Sequence, residues 1–478
     1  TGRIAATRQV GPGDALSLVG RALFMRFLID RGLVSRADLG AISPEAPSLV
    51  ECMATPRRAA SAFAWLDATF NGNLLPLTGR GQETFWEALG DAGSVVCFEL
   101  SNILDRSGSK GQRSFEWATL NFCHIPVGLL SQVYEDHCHR HLPTQASAQS
   151  VHYTPRSLAE YVVGEVFLRQ ENAHEAKVLD PAVGAGVFLV AAFRALIAAR
   201  WRADGRRPDT TAIRRILYHQ LRGFDINDAA LKLTALSLYL TALELDPDPR
   251  PLEGLKFDNL LGKVLVDVRV DGDDATAAGG LPVLGSLGAH VDESHRASYD
   301  IVLGNPPWTA WKQPRLTKAE PAVKAASDAE FARRTAEVAQ VVRSIVERRL
   351  GKLDEARFEF VDHTPDVPFC WRALDWAKPD GQVALVVHAR LLFKQSDAGV
   401  RTRGMLLRGA RVNGILNGAA LHETKVWPGV KAPFCLLFAD NHVPNAFDTF
   451  TFVSPLLDAS LNRRGHLRID ANSACEIS

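Results

Sequence analysis

Residues 178–189 read "VLDPAVGAGVFL", and the reading of this stretch decides the fold. Val178 and Leu179 form a short apolar run that ends on Asp180, and Pro181 cannot continue a strand ladder. Glycines follow at 184 and 186, then a helical apolar pattern from Val187 to Arg200. Strand, acid, Gly-x-Gly and helix together make a small-ligand site. The glycines let the backbone approach the ligand, and the helix N-terminus faces it. A nicotinamide site would want a third glycine where Leu189 stands, and an acid roughly 20 residues further on. The next strand-end acid, Asp225, lies about twice as far away. An acid that precedes the glycines, as Asp180 does, suits a cationic ammonium better than a pyrophosphate.

Outward from this stretch the chain alternates strands with helices. "LRGFDI" (221–226), "GLKFDNLL" (254–261), "YDIVLG" (299–304), "GQVALVVHA" (381–389), "RVNGILN" (411–417) and "FCLLFAD" (434–440) read as strands. Such alternation argues for an α/β, doubly wound, mostly parallel sheet with helices on both faces. Ligands then bind at the carboxyl ends of the strands. Asp225, followed by Ile226, ends the second strand, where a carboxylate accepts both hydroxyls of a ribose. Asp258 and Asn259 end the third candidate strand, placed for an adenine edge. Ammonium, ribose and adenine are the parts of S-adenosylmethionine. The cofactor set is therefore Asp180, Pro181, Ala182, Gly184, Gly186, Asp225, Ile226, Asp258 and Asn259. Residues 266–298 read as a loop. Residues 309–367 read as a charged helical insertion, either a lid or substrate contact or a solvated helical pair.

The fourth strand runs straight into Asn305-Pro306-Pro307-Trp308. Proline donates no ladder bond, so the backbone there is stiff and lies past the last strand pair. The exocyclic amine of a nucleobase is a poor nucleophile, because its lone pair is delocalised into the ring. The Asn305 side-chain oxygen and the Pro306 carbonyl are placed to accept from such an amine and stabilise its developing charge. Trp308 would stack on the base and fix its angle for attack on a sulfonium methyl. This chemistry needs no metal.

Composition is that of an ordinary globular chain. It has 478 residues, 46% hydrophobic and 23% charged, with Lys+Arg and Asp+Glu equal at 54 each. Polyanion contacts must therefore come from local patches. Seven cysteines lie scattered without a C-x-x-C pair, which argues for a reducing cytoplasm rather than a disulfide framework. No apolar run approaches the ~20 residues of a membrane span. Helical spacing marks 13–33, 55–70, 82–90 and 126–140, so residues 1–145 read as an all-helical domain. "YEDHCHRH" (134–141) crowds His137, Cys138, His139 and His141, but its spacing offers one facing pair and no distant partner pair. It reads as a solvated helix end. "ARWRADGRR" (199–207) reads as a helix C-terminus and loop rather than a phosphate contact.

These residues resemble the gamma-type N6-adenine DNA methyltransferases. Their Asn-Pro-Pro-aromatic signature matches 305–308, and "HYTP" (152–155) precedes the glycine loop in the gamma order. "FNGNLLPL" (70–77) and "FEWATLNFCHIPVGLLSQVYEDHC" (115–138) resemble the helical domain of type IIG restriction–modification enzymes, an organisation shared by BREX and DISARM phage-defence methyltransferases. The resemblance implies that Tyr153, Thr154 and Pro155 close over the cofactor. It implies also that Trp427, in "VWPGVKAPFCLLF" (426–438), packs the opposite face of the flipped base. Two departures stand out: Ala-Val-Gly-Ala-Gly where the family has Ala-Cys-Gly-Ser-Gly, and His152 where a second aromatic is common. No nuclease signature precedes residue 145.

The expected architecture is a seven-stranded, Rossmann-like methyltransferase sheet over 146–445, behind the helical domain. Residues 446–478 would begin a target-recognition domain, truncated here or supplied by a specificity, nuclease or helicase partner. The expected reaction is methyl transfer from S-adenosylmethionine to a flipped-out adenine of double-stranded DNA. Methylation of cytosine N4 or of RNA adenine stays open as an alternative, as does a partner-dependent or non-catalytic S-adenosylmethionine-binding subunit.

Overall fold

The computed structural model describes residues 4, 9–44, 46, 48–71, 77, 82–104, 154–249, 256–270, 281–291, 293–313, 320–351, 363–428, 430–470 and 472–477. The chain forms two units: Thr1–His141 with Ala235–Leu260, and Leu142–Thr234 with Leu261–Ser478.

In the first unit the described regular structure of the amino-terminal part is helical. Its helices run Pro12–Asp30, Arg36–Ile42, Leu49–Cys52, Pro56–Leu66, Gln82–Leu89 and Ala92–Leu104. Ser35 and Ser48 start two of them with reciprocal capping boxes to Asp38 and Glu51. Thr55 caps the helix that begins at Pro56, where proline's missing N–H costs nothing. Phe24, Phe63, Phe70 and Trp86 fill the core. The buried Arg21 guanidinium stays charged there because it donates to Asp67 at 2.6 Å and lies over the Phe63 ring. The predicted helix at 126–140, and with it the histidine-rich run 134–141, lies outside the described residues.

The second unit is built on one nine-stranded sheet in the order β3-β2-β1-β4-β5-β7-β6-β8-β9. The strands are β1 Val178–Asp180, β2 Leu221–Asp225, β3 Leu265–Asp267, β4 Tyr299–Gly304, β5 Ala377–His388, β6 Arg411–Asn417, β7 Phe434–Asp440, β8 Phe450–Val453 and β9 Ala474–Ile477. β3, β2, β1, β4 and β5 pair in parallel, while β7 runs antiparallel between β5 and β6. The first seven strands make the expected doubly wound sheet. Residues 446–478 contribute β8 and β9 to its edge, so the sheet exceeds the expected seven.

Three expectations about the elements are corrected. The third strand forms at Leu265–Asp267, not within 254–261. The apolar side chains of that earlier stretch pack elsewhere: the Phe257 ring lies tilted against Tyr239 with ring centres 4.8 Å apart, and its N–H donates to the Phe70 carbonyl. The stretch 266–298 is not simply loop, since Leu284, Leu287 and Val291 are buried in the sheet's core. The insertion after Trp308 is not a solvated pair either. Its described part is a single helix, Pro321–Leu350, whose stripe of Phe331, Val338, Val342, Ile345 and Val346 is buried.

Candidate active site at the carboxyl rim of the sheet

The glycine loop takes the shape its composition predicts. Gly184 and Gly186 have φ of +52° and +87°, conformations that residues with a Cβ rarely adopt. A Cβ on Gly186 would also lie 2.7 Å from Thr234 Cγ2, while Thr234 Oγ1 donates to the Gly184 carbonyl at 2.8 Å. Asp225 braces the loop from β2: its carboxylate accepts the N–H groups of Gly184 and Asn227, both at 2.8 Å. Burial pushes the Asp225 carboxyl up, and these N–H groups, with that of Ile226, hold it back. Each oxygen keeps a further lone pair for a ligand hydroxyl.

Asp180 is buried and only half satisfied. It is 1% exposed; one oxygen accepts the Ala182 N–H at 3.1 Å, and the other has no partner among the described residues. Burial first, then repulsion by Asp225, pushes its carboxyl up to about 8 against the pull of the Ala182 N–H. β4 passes so close that a Cβ on Gly304 would lie 2.5 Å from the Asp180 carboxylate. A buried acid with an orphaned oxygen, beside a glycine cradle, fits the ammonium end of S-adenosylmethionine.

At the end of β4 the Asn305 amide donates from Nδ2 to Thr154 Oγ1 at 2.9 Å. That bond fixes which way the amide points. Its Oδ1 is buried with no hydrogen-bond partner among the described residues, an arrangement that a folded protein rarely leaves without a reason. Thr154 itself is buried, and Pro155 starts the helix Arg156–Arg169. Tyr153 lies outside the described residues.

The aromatic residues sit differently from the expectation. Trp308 is only 4% exposed; its Nε1 donates to the Val386 carbonyl at 3.1 Å. Trp427, fully buried, meets it edge-on, with ring centres 5.3 Å apart and planes at 78°. A base held between two rings needs parallel faces about two contact distances of ~3.5 Å apart. In this geometry Trp427 is therefore not the opposite wall of a base slot. It packs against Trp308 on one side and Phe434 on the other.

Sequence reasoning missed the polar support of this floor. Arg390 donates to the Trp308 carbonyl at 2.6 Å, and its Nε lies 3.8 Å from the wholly buried Asp366. His388, whose ring lies edge-on to Trp308, accepts the Arg390 N–H at 3.0 Å and is held neutral: burial and the Arg390 charge push it down to about 4. A histidine that ends an apolar strand, His388, and an arginine just past it, Arg390, were the available signal.

Asp258 and Asn259 belong to the irregular stretch Lys256–Leu260 of the first unit, where Tyr239 Oη donates to the Asp258 carbonyl at 2.8 Å. The acid that ends β3 is Asp267, paired with Arg269. The arginine-rich run 199–207 ends the helix Val187–Asp204, as read from sequence, and Arg200 pairs with Asp204.

Residues 127–343 match the family model described as N-6 DNA methylase. No curated protein matches the chain. Among solved structures, the type IIG restriction endonuclease BpuSI is similar at a TM-score of 0.51 and 12% identity, over 95% of this chain and 40% of that one. A modification subunit of a putative type I restriction enzyme from Vibrio vulnificus YJ016 is similar at a TM-score of 0.44 and 16% identity, over 88% of this chain and 68% of that one. The methyltransferase subunit of a type I restriction–modification system from Streptococcus thermophilus gives a TM-score of 0.40 at 16% identity, with the same coverage.

Proposed function

We propose that this chain, a member of the N-6 DNA methylase family over residues 127–343, methylates adenine N6 in double-stranded DNA as part of a restriction–modification or phage-defence system. The observation that carries the reading is the Asn305 amide: anchored through Nδ2 by Thr154, with a buried and unsatisfied Oδ1. An orphaned acceptor at a strand end is a preorganised partner for a donor that arrives with the substrate. An adenine amine is such a donor, and it reaches a recessed site only when flipped out of the stack.

Asp180 and Asp225, with the loop Pro181–Ala182–Val183–Gly184–Ala185–Gly186 and Ile226, would hold S-adenosylmethionine, which supplies an electrophilic methyl group when bound. Asn305 Oδ1 and the Pro306 carbonyl each accept a hydrogen from the target amine, turning its lone pair toward the methyl carbon. The amine nitrogen, held by these two acceptors, would take up the methyl group and release one proton to solvent, the leaving electron pair remaining with sulfur. Pro306 and Pro307 restrict the backbone that carries both acceptors. Trp308 supplies the stacking face once the packing of Trp427 against it opens. Tyr153 remains a candidate cofactor contact through the family resemblance.

A specificity, nuclease or helicase partner for target recognition belongs to the same proposal. Buried free thiols at Cys52, Cys97, Cys370 and Cys435 support a reducing, cytoplasmic setting. No helix among the described residues is long and apolar enough to cross a membrane.

The test is transfer of tritium from labelled S-adenosylmethionine to DNA, with Asn305→Ala as control and neighbouring gene products added. Label on N6-methyladenine that vanishes in the variant is expected. Label on cytosine would redirect the reading to N4, and no label on DNA would end it.

A further inference from the structure

The same rim carries cations that the site above does not use. Lys425 and Lys431 lie on the loop between β6 and β7, which closes through the Glu423 N–H donating to the Val430 carbonyl at 3.1 Å. Trp427 hangs from this loop and is buried against Trp308, so the loop is pinned over the end of the catalytic strand. Arg463 ends the short helix Ala459–Arg463 and Arg464 follows it. The next residue, Gly465, lies against the same loop: a Cβ there would be 3.2 Å from the Lys425 carbonyl oxygen. β8 runs parallel to β6, which brings the segment after Val453 to the carboxyl rim.

All four cations are exposed, and none makes an ion pair among the described residues. His466 beside them is exposed as well. The one acid of the loop 418–433 is Glu423, and 459–467 contains none. Asp458 and Asp470, which bracket that segment, are spent on Arg468. Exposed Arg156 and Arg343, by contrast, pair with the helical acids Glu160 and Glu347. In a chain of zero net charge, four unneutralised cations on one rim form a local positive field.

We propose that Lys425, Lys431, Arg463 and Arg464 bind the phosphate backbone of duplex DNA beside the point where the target base enters. The proposal rests on the reading of this chain as a DNA methyltransferase. Duplex DNA presents about one negative charge per 1.7 Å of axis, so a cluster of cations can meet several phosphates at once. Each contact releases counterions and contributes a slope of about −0.9 to the dependence of log affinity on log salt.

The experiment uses the full chain and a mixed-sequence DNA duplex. Fluorescence anisotropy compares wild type with K425Q/K431Q/R463Q/R464Q between about 50 and 200 mM salt, the range in which phosphate contacts are felt. The variant should bind more weakly, with its salt slope reduced by about 3 to 4. Its S-adenosylmethionine affinity and melting midpoint should stay as in wild type. R202Q/R206Q/R207Q is the control, since its helix of 18 residues runs about 27 Å back from the rim; it should keep the wild-type slope. A wild type that labels DNA together with a quadruple variant of unchanged slope overturns the patch and leaves the proposed function standing. A wild type that binds S-adenosylmethionine but neither binds nor labels duplex overturns both. If the quadruple variant melts early, R463Q/R464Q decides alone, with an expected slope change of about 1.8.

Discussion

The two halves of the carboxyl rim are finished to different degrees. On the β1–β4 side, Asp180 and Asn305 each keep one buried oxygen without a partner, and burial pushes Asp180 up to about 8. On the β5–β7 side the Trp308 indole is hydrogen-bonded, its carbonyl is taken by Arg390, and Trp427 and Phe434 close the stack beneath it. The β1–β4 side thus offers two orphaned acceptors, Asp180 suited to a cofactor ammonium and Asn305 to a target amine, while the aromatic floor on the β5–β7 side is packed. A small, charged ligand rewards preformed acceptors, because polar groups fixed in advance need no reorganisation. A flat base instead needs an apolar face, and an apolar face left uncovered in water is unfavourable.

The contrast is broken most directly at Trp427. If it belongs to a packed core, Trp427→Ala should lower unfolding stability by about 3–5 kcal/mol in denaturant titration. Cofactor affinity per folded molecule should be unchanged. A loss under about 1 kcal/mol would mean that the side chain already leaves the core freely, and the closed floor would be an error. Asn305→Ala is expected to act on the other half alone. Removing one preorganised hydrogen-bonding group from a transition-state site costs on the order of 10²–10³ in kcat. Here the cofactor dissociation constant and the melting midpoint should stay put, and a variant that retains more than a third of the wild-type rate would remove Asn305 from the chemistry.

Asp180 sharpens the comparison through pH. In the empty protein its carboxyl holds a proton up to about pH 8. A bound ammonium favours the ionised form, so binding must release that proton below pH 8. Cofactor affinity should therefore rise with pH by at most about tenfold per unit and level off above pH 8. Stability of the empty protein runs the other way. The folded state holds a proton that the unfolded chain has lost between pH ~4 and ~8, so unfolding free energy falls as pH rises through that window. Calorimetry in buffers of different ionisation enthalpy would show the released proton, and its absence at pH 7 would mean that Asp180 is already ionised.

The difference between the halves also explains what could be read from sequence. Asp180, Gly184, Gly186, Asp225 and Asn305 act through backbone turns and strand ends, which leave local signals: an acid, a Gly-x-Gly, an Asn before two prolines. The doubly wound, mostly parallel sheet followed from alternation of strands and helices, but its order β3-β2-β1-β4-β5-β7-β6 did not. What escaped depends on residues far apart in the chain. The edge-on meeting of Trp308 and Trp427 links positions separated by more than a hundred residues, and no spacing rule announces a ring angle. The placement of β3 failed because the apolar residues of 254–261 read as a strand, yet Phe257 and Leu260 bury themselves elsewhere. Asp366 and Arg390 were passed over because each alone looks like an ordinary surface charge.

The smallest expected effect tests the hinge between the halves. Thr154 reached the candidate set as a cofactor contact, but in the structure its hydroxyl accepts from Asn305 Nδ2 at 2.9 Å. Thr154→Val keeps the shape of the side chain and deletes the acceptor. The amide then loses one neutral hydrogen bond, worth about 0.5–1.5 kcal/mol, and is free to turn its NH₂ toward the target amine, which cannot accept it. The expected result is a kcat lowered roughly 2–12-fold, the rate equivalent of that energy, with KM for the cofactor unchanged. Thr154→Ser restores the acceptor and should restore the rate. If Thr154→Val instead raises the cofactor KM and leaves kcat alone, Thr154 serves the cofactor and the amide is oriented by something else. A variant unchanged in both would mean that the backbone around Pro306 and Pro307 is rigid enough to aim Asn305 without help.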